Sequence, residues 1–171
     1  PTGTLLSTRY SGEYISFGTG ENNLYRIVSH ENGTGTKITS AVPLKVNGSY
    51  KSIEFGFNGT FSKNNRVGLF LNGDYLTSGT YLTSDQVNMI EDNTTWYLGT
   101  VGSGTNYKLA KYQDATSSNL TTSTTTAKIG LLRLGELIAG QFDKYGNNTT
   151  YWTLTPYSTS DVYLVDYGKH D

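Results

Sequence analysis

Thr150-Tyr151-Trp152-Thr153-Leu154-Thr155-Pro156-Tyr157, followed after Ser158-Thr159-Ser160 by Asp161-Val162-Tyr163-Leu164-Val165-Asp166-Tyr167, decides the fold class. Side chains of a strand point alternately to its two faces, so the first run presents Tyr151, Thr153, Thr155 and Tyr157 on one side and Trp152, Leu154 and Pro156 on the other. The second run sets Val162, Leu164 and Asp166 against Tyr163, Val165 and Tyr167. Two such runs joined by a Ser/Thr turn read as a terminal β-hairpin, with Trp152 and Leu154 turned to the core and Tyr151 and Tyr157 turned outward.

Working back along the chain, Lys128-Ile129-Gly130-Leu131-Leu132 reads as a short buried strand, and Leu134 to Phe142 as a helix with Leu134, Leu137, Ile138 and Phe142 on one side. Asp114 to Thr126 is a Ser/Thr-rich stretch expected to be an exposed loop, after strands at Trp96–Val101 and Tyr107–Tyr112. Thr83-Ser84-Asp85-Gln86 has the spacing of a capping box, in which Thr83 accepts from the first turn while Gln86 reaches back, with Val87, Met89 and Ile90 on the apolar face behind it. Lys63 to Leu76 carries Val67, Phe70, Leu71 and Tyr75 at helical spacing and is expected to be one short helix, stopped near Asn72-Gly73. The first sixty residues form a β meander: Tyr14–Phe17, Leu24–Val28 and Lys37–Val42, with Asn-Gly turns at Asn32, Asn47 and Asn58. Strands, two or three short helices and a closing hairpin in 171 residues make a single α+β domain with antiparallel sheets.

Composition removes several chemistries. The chain has no cysteine, which excludes disulfides, thiolate nucleophiles and Cys-ligated zinc. Its net charge of −1, with no cluster of Lys or Arg, leaves no footprint for nucleic-acid phosphates. The longest apolar stretch, Ile129 to Phe142, is interrupted by Arg133, Glu136 and Gln141, so no membrane span is expected in this chain. The start at Pro1, without Met or an apolar signal region, suggests a processed or trimmed product. Seven N-x-S/T sequons, at Asn32, Asn47, Asn58, Asn93, Asn119, Asn147 and Asn148, read mainly as turn chemistry.

In order along the chain, several landmarks resemble a family of Gram-positive bacterial surface and secreted domains. Tyr14-Ile15-Ser16-Phe17 followed by Leu24-Tyr25-Arg26-Ile27-Val28 is similar to its opening "aromatic-x-FG…WRVL" strands, and Phe70-Leu71-Asn72-Gly73-Asp74-Tyr75-Leu76 to its "LN-x-x-F" helix end. Leu131-Leu132-Arg133-Leu134-Gly135-Glu136 is similar to its "LLS-x-x-E" junction, and the terminal hairpin to its "WWLRSPG…AYVNSDG" pair. The resemblance covers roughly residues 14 to 168 and implies a C-type-lectin-like fold akin to that of formylglycine-generating enzyme. Two departures stand out: Thr153-Leu154-Thr155 replaces a Leu-Arg-Ser, and the chain stops at Asp171, before the family's "VRP" strand. The calcium-lectin signatures Glu-Pro-Asn, Gln-Pro-Asp and Trp-Asn-Asp do not occur.

Candidate sites follow from residue chemistry. His30, beside the Glu31-Asn32-Gly33 turn, and the penultimate His170 are poor bases for a triad, and the acidic residues are scattered, so no catalytic residue is assigned and the chain is expected not to be an enzyme. Asp143-Lys144-Tyr145-Gly146-Asn147-Asn148 has one carboxylate among neutral amides and reads as a turn in preference to a calcium loop. Glu136 reads as a first-turn helix residue. The ligand-binding candidates are Tyr151, Tyr157, Ser158, Thr159, Ser160, Tyr163 and Tyr167, because tyrosine offers a flat apolar face and a hydroxyl at low entropic cost. Neither metal nor cofactor is expected. The partner is read as a surface ligand, glycan or protein, with self-association through an open sheet edge as a further option. The resulting expectation is a non-catalytic, secreted or surface-displayed recognition or adhesion domain, with a filament or pilus subunit as the alternative.

Overall fold

The computed structural model describes residues 5–31, 35–98, 107–108, 115–116, 124–133, 136–137, 150–156 and 162–166. Its first unit is a three-stranded antiparallel sheet in the order β1 (Tyr14–Ser16), β2 (Leu24–Glu31), β3 (Gly35–Ser40). Tyr25 and Ile27 of β2 are buried, and the register slips by one residue between Ile27↔Ile38 and Ser29↔Lys37, which leaves Val28 as the extra residue of a bulge. Arg26 lies over the Tyr14 ring, 4.9 Å from its centroid, and donates from Nε to the Gly12 carbonyl at 3.0 Å.

A tight hairpin of β4 (Lys45–Val46) and β5 (Ser49–Tyr50) follows, turning at Asn47 (φ 51°) and Gly48 (φ 79°). Two successive positive φ angles are what the Asn-Gly pair supplies to a hairpin of this length. The buried carboxamide of Asn22 holds the hairpin from outside the ladder: Nδ2 donates to the Lys45 carbonyl at 2.8 Å, and Oδ1 accepts from the Lys45 N–H at 2.7 Å. Asn58-Gly59 does not turn a hairpin. Asn58 Oδ1 accepts from the Thr60 N–H at 3.1 Å, a local Asx turn with no strand on either side.

The helix expected over 63–76 is split into α1 (Arg66–Leu71) and α2 (Asp74–Thr77). Asn65 caps α1, accepting from Gly68 N–H at 2.9 Å, and the stop falls at Asn72-Gly73. Asn72 ends α1 because its carboxamide bonds back to the Gly68 carbonyl at 3.0 Å and across to Ile129. α3 (Ser84–Met89) opens with both halves of the expected capping box, Gln86 N–H to Thr83 Oγ1 at 3.1 Å and Thr83 N–H to Gln86 Oε1 at 3.0 Å. Val87 and Ile90 pack on the core, but Met89 is exposed, since a six-residue helix turns too little of its surface inward to bury all three.

Strand β6 (Thr94–Tyr97) starts two residues before Trp96; β7 (Tyr107–Lys108) pairs with β8 (Ala115–Thr116), and β6 pairs with β9 (Thr124–Ala127). The stretch expected to be a loop over 114–126 therefore contains strand at both ends, because its threonines are β-branched and suit the pleat. The segment 128–132 is not a strand: it bends at Lys128 and Ile129, the Ile129 N–H donates to Asn72 Oδ1 at 2.9 Å, the Ile129 carbonyl accepts from Asn72 Nδ2 at 3.0 Å, and the Leu132 carbonyl accepts from the Leu154 N–H of β10 at 2.9 Å. At Ile129 a side chain has taken the bonds that a neighbouring strand would have made.

The closing hairpin is present, with β10 (Thr150–Pro156) antiparallel to β11 (Val162–Asp166). Its register shifts between Trp152↔Leu164 and Pro156↔Val162, so strict alternation fails there. Thr153, expected on the outward face, is buried alongside Leu154, and Trp152 is half-buried rather than central to the core. The core is built from Phe55, Phe61, Val67, Leu71, Tyr75, Tyr81, Leu82, Leu98, Ala127 and Leu154. The described part is thus a mixed α+β arrangement of antiparallel sheets and short helices. Among the described residues, no helix is long and apolar enough to cross a membrane.

Candidate ligand-binding cavity

A cavity of about 1580 Å³ lies between the β1–β3 sheet, α1, β6, the 128–133 segment and β10. Trp96 and Trp152, the only two tryptophans of the chain, both line it. Each indole is fixed by its N–H: Trp96 Nε1 donates to the Ala127 carbonyl and Trp152 Nε1 to the Ile53 carbonyl, both at 2.9 Å. Phe55 packs edge-on to Trp152, with ring centroids 5.6 Å apart. Gly130 lies against the Trp96 face so closely that a Cβ there would stand 2.4 Å from indole Cδ2, and glycine is required at that position.

One polar part of the wall is a Lys–Glu pair 99 positions apart in the chain. Lys37 of β3 places Nζ 3.1 Å from Glu136 Oε2 and 5.4 Å from the centroid of a Trp96 ring. Glu136 is buried, and its other oxygen, Oε1, accepts from the Arg133 N–H at 3.1 Å. Glu136 and Leu137 are helical, and the Leu137 N–H donates to the Arg133 carbonyl at 3.1 Å. The expected helical placement is met, but the residue does more: its carboxylate ties Glu136 to β3. The buried Arg133 guanidinium reaches the Tyr97 carbonyl. Pairing is what makes burial of Glu136 tolerable, since a carboxylate out of water without partners costs several kcal/mol (roughly).

Beyond the cavity's sheet side, Tyr25 and Tyr75 hydrogen-bond hydroxyl to hydroxyl in the interior, with Phe17 edge-on to Tyr25 at 5.4 Å. Burial pushes both phenols above their ordinary range, and the neighbouring phenol raises Tyr75 further. Tyr25 and Tyr75 both line the cavity.

The side chains of the sequence-derived ligand-binding candidates lie outside the described residues. Tyr151 lies in β10 and Tyr163 in β11, on strands whose register is set but whose side-chain positions fall outside the described residues. Tyr157, Ser158, Thr159, Ser160 and Tyr167 lie outside the described residues, as do His170 and the 143–148 loop. His30 is exposed and next to last in β2; its Nδ1 lies 2.9 Å from the Thr36 hydroxyl oxygen, and its Nε2 donates to the Arg9 carbonyl. Among the described residues, no three His, Asp or Glu side chains form a group that would hold a metal ion. Sequence reasoning missed the Lys37–Trp96–Glu136 arrangement, and its one local trace was the Arg133-x-x-Glu136 spacing of a helix start. No family model, curated protein or solved structure matches the chain.

Proposed function

We propose that this chain is a non-catalytic recognition domain that works outside the cell and takes its ligand into the cavity between the β1–β3 sheet and β6. The observation that carries this reading is the cavity itself: about 1580 Å³ with both tryptophans in its wall, against roughly 300–1,000 Å³ for most small-molecule sites. Aromatic planes held by hydrogen bonds beside a few fixed polar groups suit binding of a ligand with extended apolar faces. The carboxylate best placed for chemistry, Glu136, is already engaged by Lys37 and the Arg133 N–H, which suits a structural role better than proton transfer. The extracellular placement and the C-type-lectin-like assignment rest on the resemblance of motif order to Gram-positive surface domains.

Titration with a panel of neutral oligosaccharides and single-chain amphiphiles, read by tryptophan emission, tests the proposal. Saturable binding that Trp96→Phe weakens supports it. Absence of saturable binding by every member of the panel overturns it.

A filament subunit is the second reading, favoured by one observation: β1 is the edge of its sheet, and Tyr10, Tyr14 and Leu24 are exposed beside it. Sedimentation velocity over a concentration series decides this, since a chain that stays monomeric at high concentration rejects the filament.

A further inference from the structure

We infer that the ligand of the cavity is an amphiphilic monoanion, one carboxylate on an apolar body, seated with its charge at Lys51. The inference rests on the recognition reading above and adds the chemical class of the ligand. Six cationic side chains line the cavity: Arg9, Arg26, Lys37, Lys51, Lys128 and Arg133. Three carboxylates do so, Glu31, Glu91 and Glu136, in a chain whose overall net charge is −1. Two further carboxylates answer lining cations from outside the wall, Glu13 pairing with Arg9 at 3.2 Å and Asp92 with Lys128 at 2.9 Å. Among the described residues, six cations thus stand against five carboxylates.

Lys51 is an exposed cation of this set. Lys37 is matched by Glu136, whereas the Lys51 ammonium has no carboxylate partner among the described residues. Lys51 is held instead over the Phe70 ring, 5.4 Å from its centroid, and its own N–H donates to the Leu44 carbonyl at 2.7 Å. An exposed ammonium braced on an aromatic face at the edge of a cavity keeps its hydration and its field, and that field favours one anionic group at the mouth. Behind it the wall is apolar, with Leu44, Ile53, Phe70, Ile129, Leu131 and Trp152 lining the space. A single negative head with a hydrocarbon or ring body matches both halves, while a polyanion would meet Glu31, Glu91 and Glu136.

The test uses three probes that share one chain and differ in head group: decanoate, decanol and decylammonium. They are titrated into the full chain at low salt with tryptophan emission as the readout. Decanoate is expected to bind about tenfold more tightly than decanol, the equivalent of one charge-assisted contact, and decylammonium more weakly than either. Lys51→Glu, at an exposed position, is expected to invert that order so that decylammonium binds best; Lys63→Glu, exposed and outside the cavity wall, should leave it unchanged. Equal binding of the three probes, or an order that Lys51→Glu does not change, overturns the monoanion and leaves the recognition reading standing. Binding of a neutral oligosaccharide with no response to decanoate does the same. Failure of every probe and every oligosaccharide to bind removes both.

Discussion

Replacing Asn72 by alanine is expected to destabilise the chain more than any substitution at a surface asparagine. Three hydrogen bonds converge on this one carboxamide: Nδ2 donates to the Gly68 and Ile129 carbonyls, each at 3.0 Å, and Oδ1 accepts from the Ile129 N–H at 2.9 Å. Alanine removes all three and leaves the N–H and C=O of Ile129 with no strand to pair them. Each bond contributes about 0.5–1.5 kcal/mol net, and half-burial lets water reach part of the gap, so the expected loss is about 2–4 kcal/mol. For a chain of this length that corresponds to a fall in Tm of roughly 5–12 °C. Urea titration followed by far-UV circular dichroism gives the free energy. Tryptophan emission should shift in parallel, because Ile129 precedes the glycine that packs on Trp96. Asn64→Ala, at an exposed asparagine, serves as the control and should stay within about 0.5 kcal/mol of the parent. A loss for Asn72→Ala no larger than the control's refutes the idea that this carboxamide substitutes for a sheet ladder.

Gly68→Ala should destabilise α1 by about 1–3 kcal/mol despite alanine's better helix propensity, because a Cβ there would stand 1.7 Å from the Ser62 carbonyl oxygen; a variant as stable as the parent would show that the 62–65 turn gives way freely. Thr83→Ala removes one half of the capping box and is expected to cost about 1 kcal/mol in the same assay, with no measurable change if the box is incidental. The raised Tyr25 and Tyr75 phenols stay protonated in the folded chain when the unfolded chain has already begun to ionise, so stability is untouched below about pH 10 and falls above it, by up to about 1.4 kcal/mol per pH unit for each phenol. Urea midpoints measured between pH 8 and 11 check this: Tyr75→Phe should flatten the decline, and a parent profile that is already flat would contradict it.

What was legible in the sequence was local. The Asn47-Gly48 turn, the Thr83–Gln86 box and the antiparallel terminal hairpin each follow from residues within one element or turn, where backbone preference and a nearby side chain decide the outcome. The longer links left no pattern: Asn22 reaches Lys45 over 23 positions, Asn72 reaches Ile129 over 57, and Lys37 reaches Glu136 over 99. An asparagine in a strand-poor stretch is an ordinary turn residue until the fold brings a bare backbone to it. The 128–132 segment shows the same limit from the other side. Its residues are apolar and β-prone, but the partner that satisfies Ile129 is a side chain on α1's C-terminal end, which periodicity cannot reveal.

These clamps also bear on why the cavity stays open. Two-stranded sheets are marginal by themselves, and four of the five described sheets have only two strands. A wall made of such pieces would be expected to collapse onto apolar space of this size, because burying the lining removes it from water. The carboxamides and the Lys37–Glu136 pair oppose that collapse by fixing backbone to backbone at set distances. Asn22 spaces the β4–β5 hairpin from the first sheet, Asn72 spaces the 128–132 segment from α1, and the ion pair spaces Glu136 from β3. To close the cavity, the chain would have to give up part-buried polar bonds whose groups would then lack partners, at about 1–3 kcal/mol each. Polar side chains that substitute for strands therefore do two things at once: they complete short sheets, and they hold open the space between those sheets that Trp96 and Trp152 line.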